Sequence, residues 1–178
     1  MLANPTLRAA ARLGDREAAH ESSISELMHC GLVDRNPRTM REDKKLGAVL
    51  DVLLEDGAAG VPVVDAGGRY LGTCTLRGVA SLCLLVKGET AALVSSLSFL
   101  REDLGRLRQR LGAALDRPVG SALDPYVPVL RPSASLAELF FLYYRNNPLV
   151  PIVDDGQDRR LLGTVAWDRA LGLLRTPA

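Results

Sequence analysis

The sequence has few of the side chains that build metal centres or disulfide frameworks. Its 178 residues include three cysteines and two histidines. Cys30, Cys74 and Cys83 do not have the spacing of a metal-binding or redox pair. We therefore expect no metal site and no required cofactor, and the unpaired thiols favour a reducing, cytoplasmic compartment.

Excess charge and long hydrophobic runs are also absent. Lys and Arg number 22 against 21 Asp and Glu, for a net charge of +1. This balance gives no bulk electrostatic attraction to nucleic acid, so we expect no nucleic-acid partner. The longest uncharged segments, residues 78–86 and 90–100, are shorter than the roughly 18 apolar residues of a membrane span. No membrane span is expected.

What the sequence does contain is an internal duplication. Residues 60–65 (GVPVVD) recur as residues 149–154 (LVPIVD), and residues 70–73 (YLGT) recur as residues 161–164 (LLGT). The interval of about 90 residues is too long for a solenoid repeat. We therefore expect four parts: a helical extension over 1–22, a first unit over 23–86, a connecting helix over 87–117 and a second unit over 118–178.

Each copy has the pattern of a mixed α/β unit. Apolar residues at helical spacing predict an amphipathic helix that begins near Leu46 in the first copy and near Leu136 in the second. A short β-branched run follows, residues 61–64 and 150–153, which is typical of a buried strand. Turn residues then favour an antiparallel hairpin, and a second helix closes each unit.

The segment between the copies predicts a long helix. Leucines from Leu93 to Leu111 are spaced alternately four and three residues apart, which makes a narrow apolar seam. This seam fits either packing on the chain's own core or a contact between subunits. A contact between subunits would bury this apolar helical surface.

In this order, the residues resemble a tandem pair of CBS domains, also called a Bateman module. The resemblance rests on ISELM (24–28), NPRTM (36–40), VPVVD (61–65) and GTCT (72–75), and in the second copy on VGSAL (119–123), VPVLRP (127–132) and GTV (163–165). It implies an α/β (α+β) fold of two β-α-β-β-α units packed about a pseudo-two-fold axis, with the long helix between them. It also implies clefts that accept AMP, ADP, ATP or S-adenosylmethionine. We expect a homodimer, because similar proteins bury an apolar helical face of the two copies in a disc-like pair, and the leucine seam adds to this surface.

The resemblance places candidate ligand-binding residues in both copies. Strand residues would sandwich an adenine, a Thr or Ser would face phosphate, and an Asp three residues later would bind the ribose hydroxyls. The candidates are Thr39, Gly60, Val61, Pro62, Thr75 and Arg77, followed by Leu149, Val150, Pro151 and Arg169. Simpler interpretations remain open: Val61 and Pro62 as a buried strand, Thr75 as a helix N-cap, and both arginines as solvated residues.

The sequence departs from the family at the last element. Thr75 keeps the hydroxyl, but Gly78 stands where the aspartate is expected. In the second copy Ala166 and Arg169 hold the two positions. We therefore expect weak binding that favours the first copy, and we expect an aspartate introduced at position 78 to strengthen it.

Two functions follow from these observations. The first is a non-enzymatic regulatory module that binds an adenine nucleotide or adenosyl ligand and signals to an unidentified partner protein. The alternative is a degenerate pair that has lost its ligand and acts as a dimerisation or scaffold protein. No catalytic residues are expected, because no nucleophile has an evident base or orienting group beside it.

Overall fold

The structure is a computed structural model that describes residues 23–28, 31–84 and 104–175. The predicted extension over residues 1–22, Cys30 and the leucines from Leu93 to Leu100 lie outside the described residues. Across the three described segments, no helix has the length and apolar character needed to cross a membrane.

The first copy has the predicted β-α-β-β-α order. Its elements are α1 (Ile24–Leu27), β1 (Met40–Arg41), α2 (Leu46–Glu55), β2 (Val61–Val64), β3 (Tyr70–Cys74) and α3 (Leu76–Leu84). The three strands form one sheet in the order β1-β2-β3. β1 is parallel to β2, and Met40 lies opposite Val63.

The second copy repeats this plan with a shorter first strand. The helix between the copies is α4 (Leu104–Leu115), and the elements of the second copy are a 3-10 helix (Val119–Ala122), α5 (Leu136–Tyr144), β4 (Leu149–Val153), β5 (Leu161–Ala166) and α6 (Trp167–Arg175). β4 and β5 form the predicted antiparallel hairpin. The first strand is a single parallel bridge, in which Leu130 pairs with Ile152 as Met40 pairs with Val63.

The hairpins confirm the predicted correspondence of the two copies. Pro62 lies in β2 and Pro151 in β4. The predicted mixed α/β class is therefore confirmed. α4 covers the C-terminal part of the helix predicted between the copies. Within it, Leu111 packs beside buried residues of its own unit, whereas Leu104 is exposed.

The chain divides into two compact units that do not follow the boundaries of the copies. Of the described residues, the C-terminal unit contains 23–28, 31–38, 68–70 and 126–175. The central unit contains 39–67, 71–84 and 104–125. Each copy therefore contributes to both units, because the segment before its first strand belongs with the hairpin of the other copy.

Each unit has its own apolar core. The central unit buries α2 residues against β2, including Leu46, Val49, Val61 and Val63. The C-terminal unit buries α5 against β4 and β5, including Leu139, Val150, Ile152 and Val165. Full burial of one such side chain contributes about 1.5 to 3 kcal/mol. The cores therefore fix the two strand ends at which the candidate residues lie.

Candidate functional site

Thr75 connects the end of β3 to the start of α3. Its Oγ1 accepts a hydrogen bond from the Gly78 backbone N–H at 3.2 Å, as a helix N-cap does. The same Oγ1 donates to Asp124 Oδ2 at 2.6 Å. The interpretation of Thr75 as an N-cap is therefore correct, and its hydroxyl has a second, acidic partner.

Asp124 gathers the polar side chains of this region. Its side chain is only 1% exposed, and Arg77 Nε donates to Oδ2 at 2.7 Å. The Asp124 backbone N–H donates to the Thr73 carbonyl at 2.9 Å, which holds the residue at the end of β3. A buried carboxylate needs this kind of compensation, because its desolvation is costly. We call Thr75, Arg77 and Asp124 the Asp124 cluster.

Gly60 brings the start of β2 against the same place. A Cβ atom at position 60 would lie 2.8 Å from Thr73 Cγ2 and 3.3 Å from Thr75 Cγ2. The backbone of β2 therefore approaches β3 more closely than a residue with a side chain allows. The chain just before Pro62 thus lies beside the Asp124 cluster.

The other candidates of the first copy differ in what they expose. Val61 is 1% exposed and belongs to the core, as the buried-strand interpretation states. Pro62 is also buried, whereas Thr39, directly before β1, is exposed. Val61 therefore contributes mainly its backbone to this edge of the sheet.

Position 78 cannot take the role that the family pattern suggests. A Cβ atom there would overlap the backbone carbonyl oxygen of Ala122. Any side chain must displace the 3-10 helix, because backbone atoms cannot rotate away. The expectation that an aspartate at position 78 would strengthen binding is therefore wrong. The acid of this region comes from Asp124 instead.

The second copy arranges its candidates in a related way. Pro151 pairs with Thr164 and Leu149 with Ala166 along the β4–β5 hairpin. Val150 is fully buried and Leu149 is half-buried.

Arg169 also has an acidic neighbour. Its Nη2 lies 3.6 Å from Asp34 Oδ2, and the two side chains are 45% and 38% exposed. Arg169, a predicted ligand-binding residue, is therefore an ion-pair partner within the chain.

Asp34 and Asp124 hold equivalent places in the two copies. The Asp34 backbone N–H donates to the Thr164 carbonyl at 2.8 Å, as that of Asp124 donates to Thr73. A Cβ atom at Gly163 would overlap the Asp34 carbonyl oxygen, so this close approach requires glycine. Our sequence reasoning missed both acids. Their recurrence at the same distance before Met40 and Leu130 was the available signal.

The electrostatic environment argues against nucleophilic chemistry at the end of β3. Burial, followed by the charge of Asp124, raises the pKa of the Cys74 thiol to about 12. Cys74 is therefore a protonated core side chain at neutral pH. Within residues 23–28, 31–84 and 104–175, no group of three or more His, Cys, Asp or Glu side chains is placed to hold a metal ion.

An aromatic cluster lies at the start of α6. Tyr143 and Trp167 have ring centroids 4.8 Å apart, and Phe140 packs edge-on to both. The Tyr143 hydroxyl is buried with no hydrogen-bond partner among the described residues. Burial, followed by the charge of Asp168, raises the pKa of this hydroxyl.

Comparison with known proteins agrees with this architecture. Residues 24–84 match the family model described as the CBS domain. A search of the curated proteins returned no match.

Solved structures with this fold are numerous. One is CBSX2 in complex with AMP, at 16% identity and a TM-score of 0.56, covering 85% of this chain and 95% of that one. Another is a CBS domain-containing protein of unknown function from Kribbella flavida, at 18% identity and 0.54, covering 88% and 100%. A conserved protein from Geobacillus kaustophilus has 18% identity and a TM-score of 0.62, covering 87% and 97%.

The family match covers the first copy, and the structural similarity extends through both. The second copy repeats the strand register of the first, with Leu130 and Ile152 in the places of Met40 and Val63. Residues 24–84 therefore match the CBS domain, and the chain shares the fold of solved CBS-domain structures along most of its length.

Proposed function

We propose that the chain is a regulatory module that binds an adenine nucleotide or adenosyl ligand and signals to a partner protein. The binding site of the first copy consists of the backbone at Gly60, Val61 and Pro62, with Thr39, Thr75 and Arg77 around it. Leu149, Val150, Pro151 and Arg169 form the corresponding site of the second copy. The candidate ligands are AMP, ADP, ATP and S-adenosylmethionine.

The approach of Gly60 to Thr75 is the observation that carries this proposal. The Gly60 backbone lies against the methyl groups of Thr73 and Thr75, and the hydroxyl of the same Thr75 belongs to the Asp124 cluster. Backbone groups next to a few fixed polar side chains are what recognition of a small planar ligand requires. The AMP complex of CBSX2, a protein with the same fold, supports the choice of ligand class.

The role is regulatory rather than catalytic. The buried, protonated Cys74 is not an activated nucleophile. Exposed apolar residues such as Leu54, Leu104 and Phe141 offer surface to a second copy or to the regulated protein. We propose that the protein acts as a cytoplasmic homodimer.

The acids at the two sites favour one alternative. Asp124 and Asp34 already pair with Arg77 and Arg169, so groups that a ligand would use have internal partners. A pair of copies that is stabilised in this way without ligand would act as a dimerisation scaffold.

A thermal-shift panel separates the two functions. AMP, ADP, ATP and S-adenosylmethionine are each added to the full chain, with guanosine as the control. A ligand present at about 100 times its Kd adds about 2.7 kcal/mol, or roughly 5 to 10 °C in Tm for a chain of this length. A sensor gives such a shift with at least one adenine compound. A panel without any shift contradicts the sensor and favours the scaffold.

A further inference from the structure

We propose that Asp124 determines the charge of the ligand in the first copy, which selects an adenosyl compound that carries no phosphate. This inference rests on the proposed function, because it concerns the ligand of the same site. The selected class contains neutral adenosine and cationic adenosyl compounds, of which S-adenosylmethionine is an available probe.

The Thr75 hydroxyl has no proton left for an anion. A hydroxyl donates one hydrogen bond, and this donor is directed at Asp124 Oδ2 at 2.6 Å. Its oxygen also accepts from the Gly78 N–H, which fixes the rotamer. A phosphate oxygen accepts hydrogen bonds and donates none when fully ionised. It would therefore have to break the bond to a buried carboxylate before it gained one from Thr75.

Charge acts in the same direction. The Asp124 carboxylate is 1% exposed, so solvent screens it weakly, and the distance from Thr75 places it next to any group that contacts Thr75. Arg77 is already directed at that carboxylate through Nε. Arg77 neutralises part of this charge, but its side chain is 58% exposed and solvent screens it more than the buried acid, so a dianionic phosphate at Thr75 faces a weakly screened carboxylate at short range. A neutral or cationic group does not incur this repulsion.

The second copy contains an equivalent pair of an aspartate and an arginine. Asp34 occupies the equivalent backbone position and pairs with Arg169. The pair is more exposed and longer, at 3.6 Å. Its effect on ligand charge is therefore weaker, because solvent screens exposed pairs. The first copy is the place to measure the preference.

Titration calorimetry of the full chain with adenosine, AMP and S-adenosylmethionine tests this proposal. We expect the wild type to bind adenosine at least about tenfold more tightly than AMP, since a neighbouring buried charge changes affinity by this order. S-adenosylmethionine should bind no more weakly than adenosine. Asp124→Asn removes the charge and should narrow the ratio of the two Kd values several-fold, chiefly by improving AMP binding.

Asp116→Asn is the matched control. It changes the net charge equally and lies in the same unit, but Asp116 is exposed and pairs with Lys45. The ratio of the Kd values for AMP and adenosine in Asp116→Asn should equal the ratio in the wild type. The wild-type comparison needs no variant, so it still decides the matter if Asp124→Asn does not fold.

The outcomes are distinct. AMP binding as tight as adenosine binding in the wild type overturns this inference and leaves the proposed function intact. An unchanged ratio in folded Asp124→Asn also overturns it. Binding of none of the three compounds overturns this inference, and it overturns the proposed function as well if ADP and ATP give no thermal shift.

Discussion

The Thr75 hydroxyl donates a 2.6 Å hydrogen bond to the Asp124 carboxylate, which joins the end of β3 to the segment that precedes the second copy's first strand. The bond links residues 49 positions apart in the chain. It uses a hydroxyl that the family pattern assigns to a ligand, so stability and binding are coupled at this residue.

Removal of the Thr75 hydroxyl should therefore lower stability. Thr75→Ala leaves a buried carboxylate with one partner fewer and α3 without its N-cap. We expect a loss of about 2 kcal/mol in the free energy of unfolding, measured by urea denaturation. Thr39→Ala is the control, because Thr39 is exposed, and its change should stay within about 0.5 kcal/mol. Equal, small changes in both variants would contradict the importance of this bond.

Gly78 should not tolerate a side chain. Gly78→Ala places a Cβ against the Ala122 carbonyl oxygen and must displace the 3-10 helix, so we expect a loss of about 2 kcal/mol or more by urea denaturation.

The matched control for this glycine lies in α4. A Cβ at Gly112 would meet nothing within 4 Å, so Gly112→Ala should stabilise the chain by up to about 1 kcal/mol. A Gly78→Ala protein as stable as the wild type would contradict the close approach of the Ala122 backbone to Gly78.

The buried Tyr143 hydroxyl should be a cost to stability. Tyr143→Phe removes a polar atom that has no hydrogen-bond partner among the described residues, so we expect unfolding to become harder by about 1 kcal/mol. Tyr144→Phe is the adjacent control, since Tyr144 is 85% exposed and its hydroxyl reaches solvent. Thermal unfolding of both variants measures the difference. A loss of stability in Tyr143→Phe alone would reveal a partner for this hydroxyl.

Cys74 should make stability fall at alkaline pH. The pKa of its thiol is raised from 9.0 to about 12 in the folded chain. The folded chain is stabilised by the neutral thiol in full below pH 9.0. This stabilisation is lost as the pH rises towards 12, because the thiol of the unfolded chain ionises at lower pH than that of the folded chain.

Between these two pKa values, the free energy of unfolding falls by about 1.4 kcal/mol per pH unit. Urea denaturation from pH 8 to pH 10.5 should show a steeper decline in the wild type than in Cys74→Ala, which lacks the thiol. Parallel declines would mean that the thiol ionises normally in the folded chain.

The strands and helices followed from local sequence patterns. The β-branched runs at Val61 and Val150 bury both faces, and the apolar spacing from Leu46 and Leu136 matches one helix face, so periodicity sufficed. The duplication added the correspondence of Pro62 and Pro151.

The candidate site was less predictable, because it depends on contacts between distant segments. Asp124 meets Thr75 and Arg77 only after the chain has folded back, and no local pattern marks an acid for such a pair. The same contact explains Gly78: the glycine admits the Ala122 backbone. A comparison of residues 72–78 with the family motif shows only that the aspartate is missing and gives no sign of Asp124.

Amide chemical-shift mapping tests the proposed binding site most directly. AMP, ADP, ATP and S-adenosylmethionine are titrated separately into the uniformly ¹⁵N-labelled chain, and the amide signals of Gly60, Thr75 and Arg77 are compared with that of Gly112, whose position in α4 is open to solvent. The proposed function predicts saturable shifts at Gly60, Thr75 and Arg77, and none at Gly112, with at least one of these ligands. Unchanged signals at those three residues with all four ligands would contradict it.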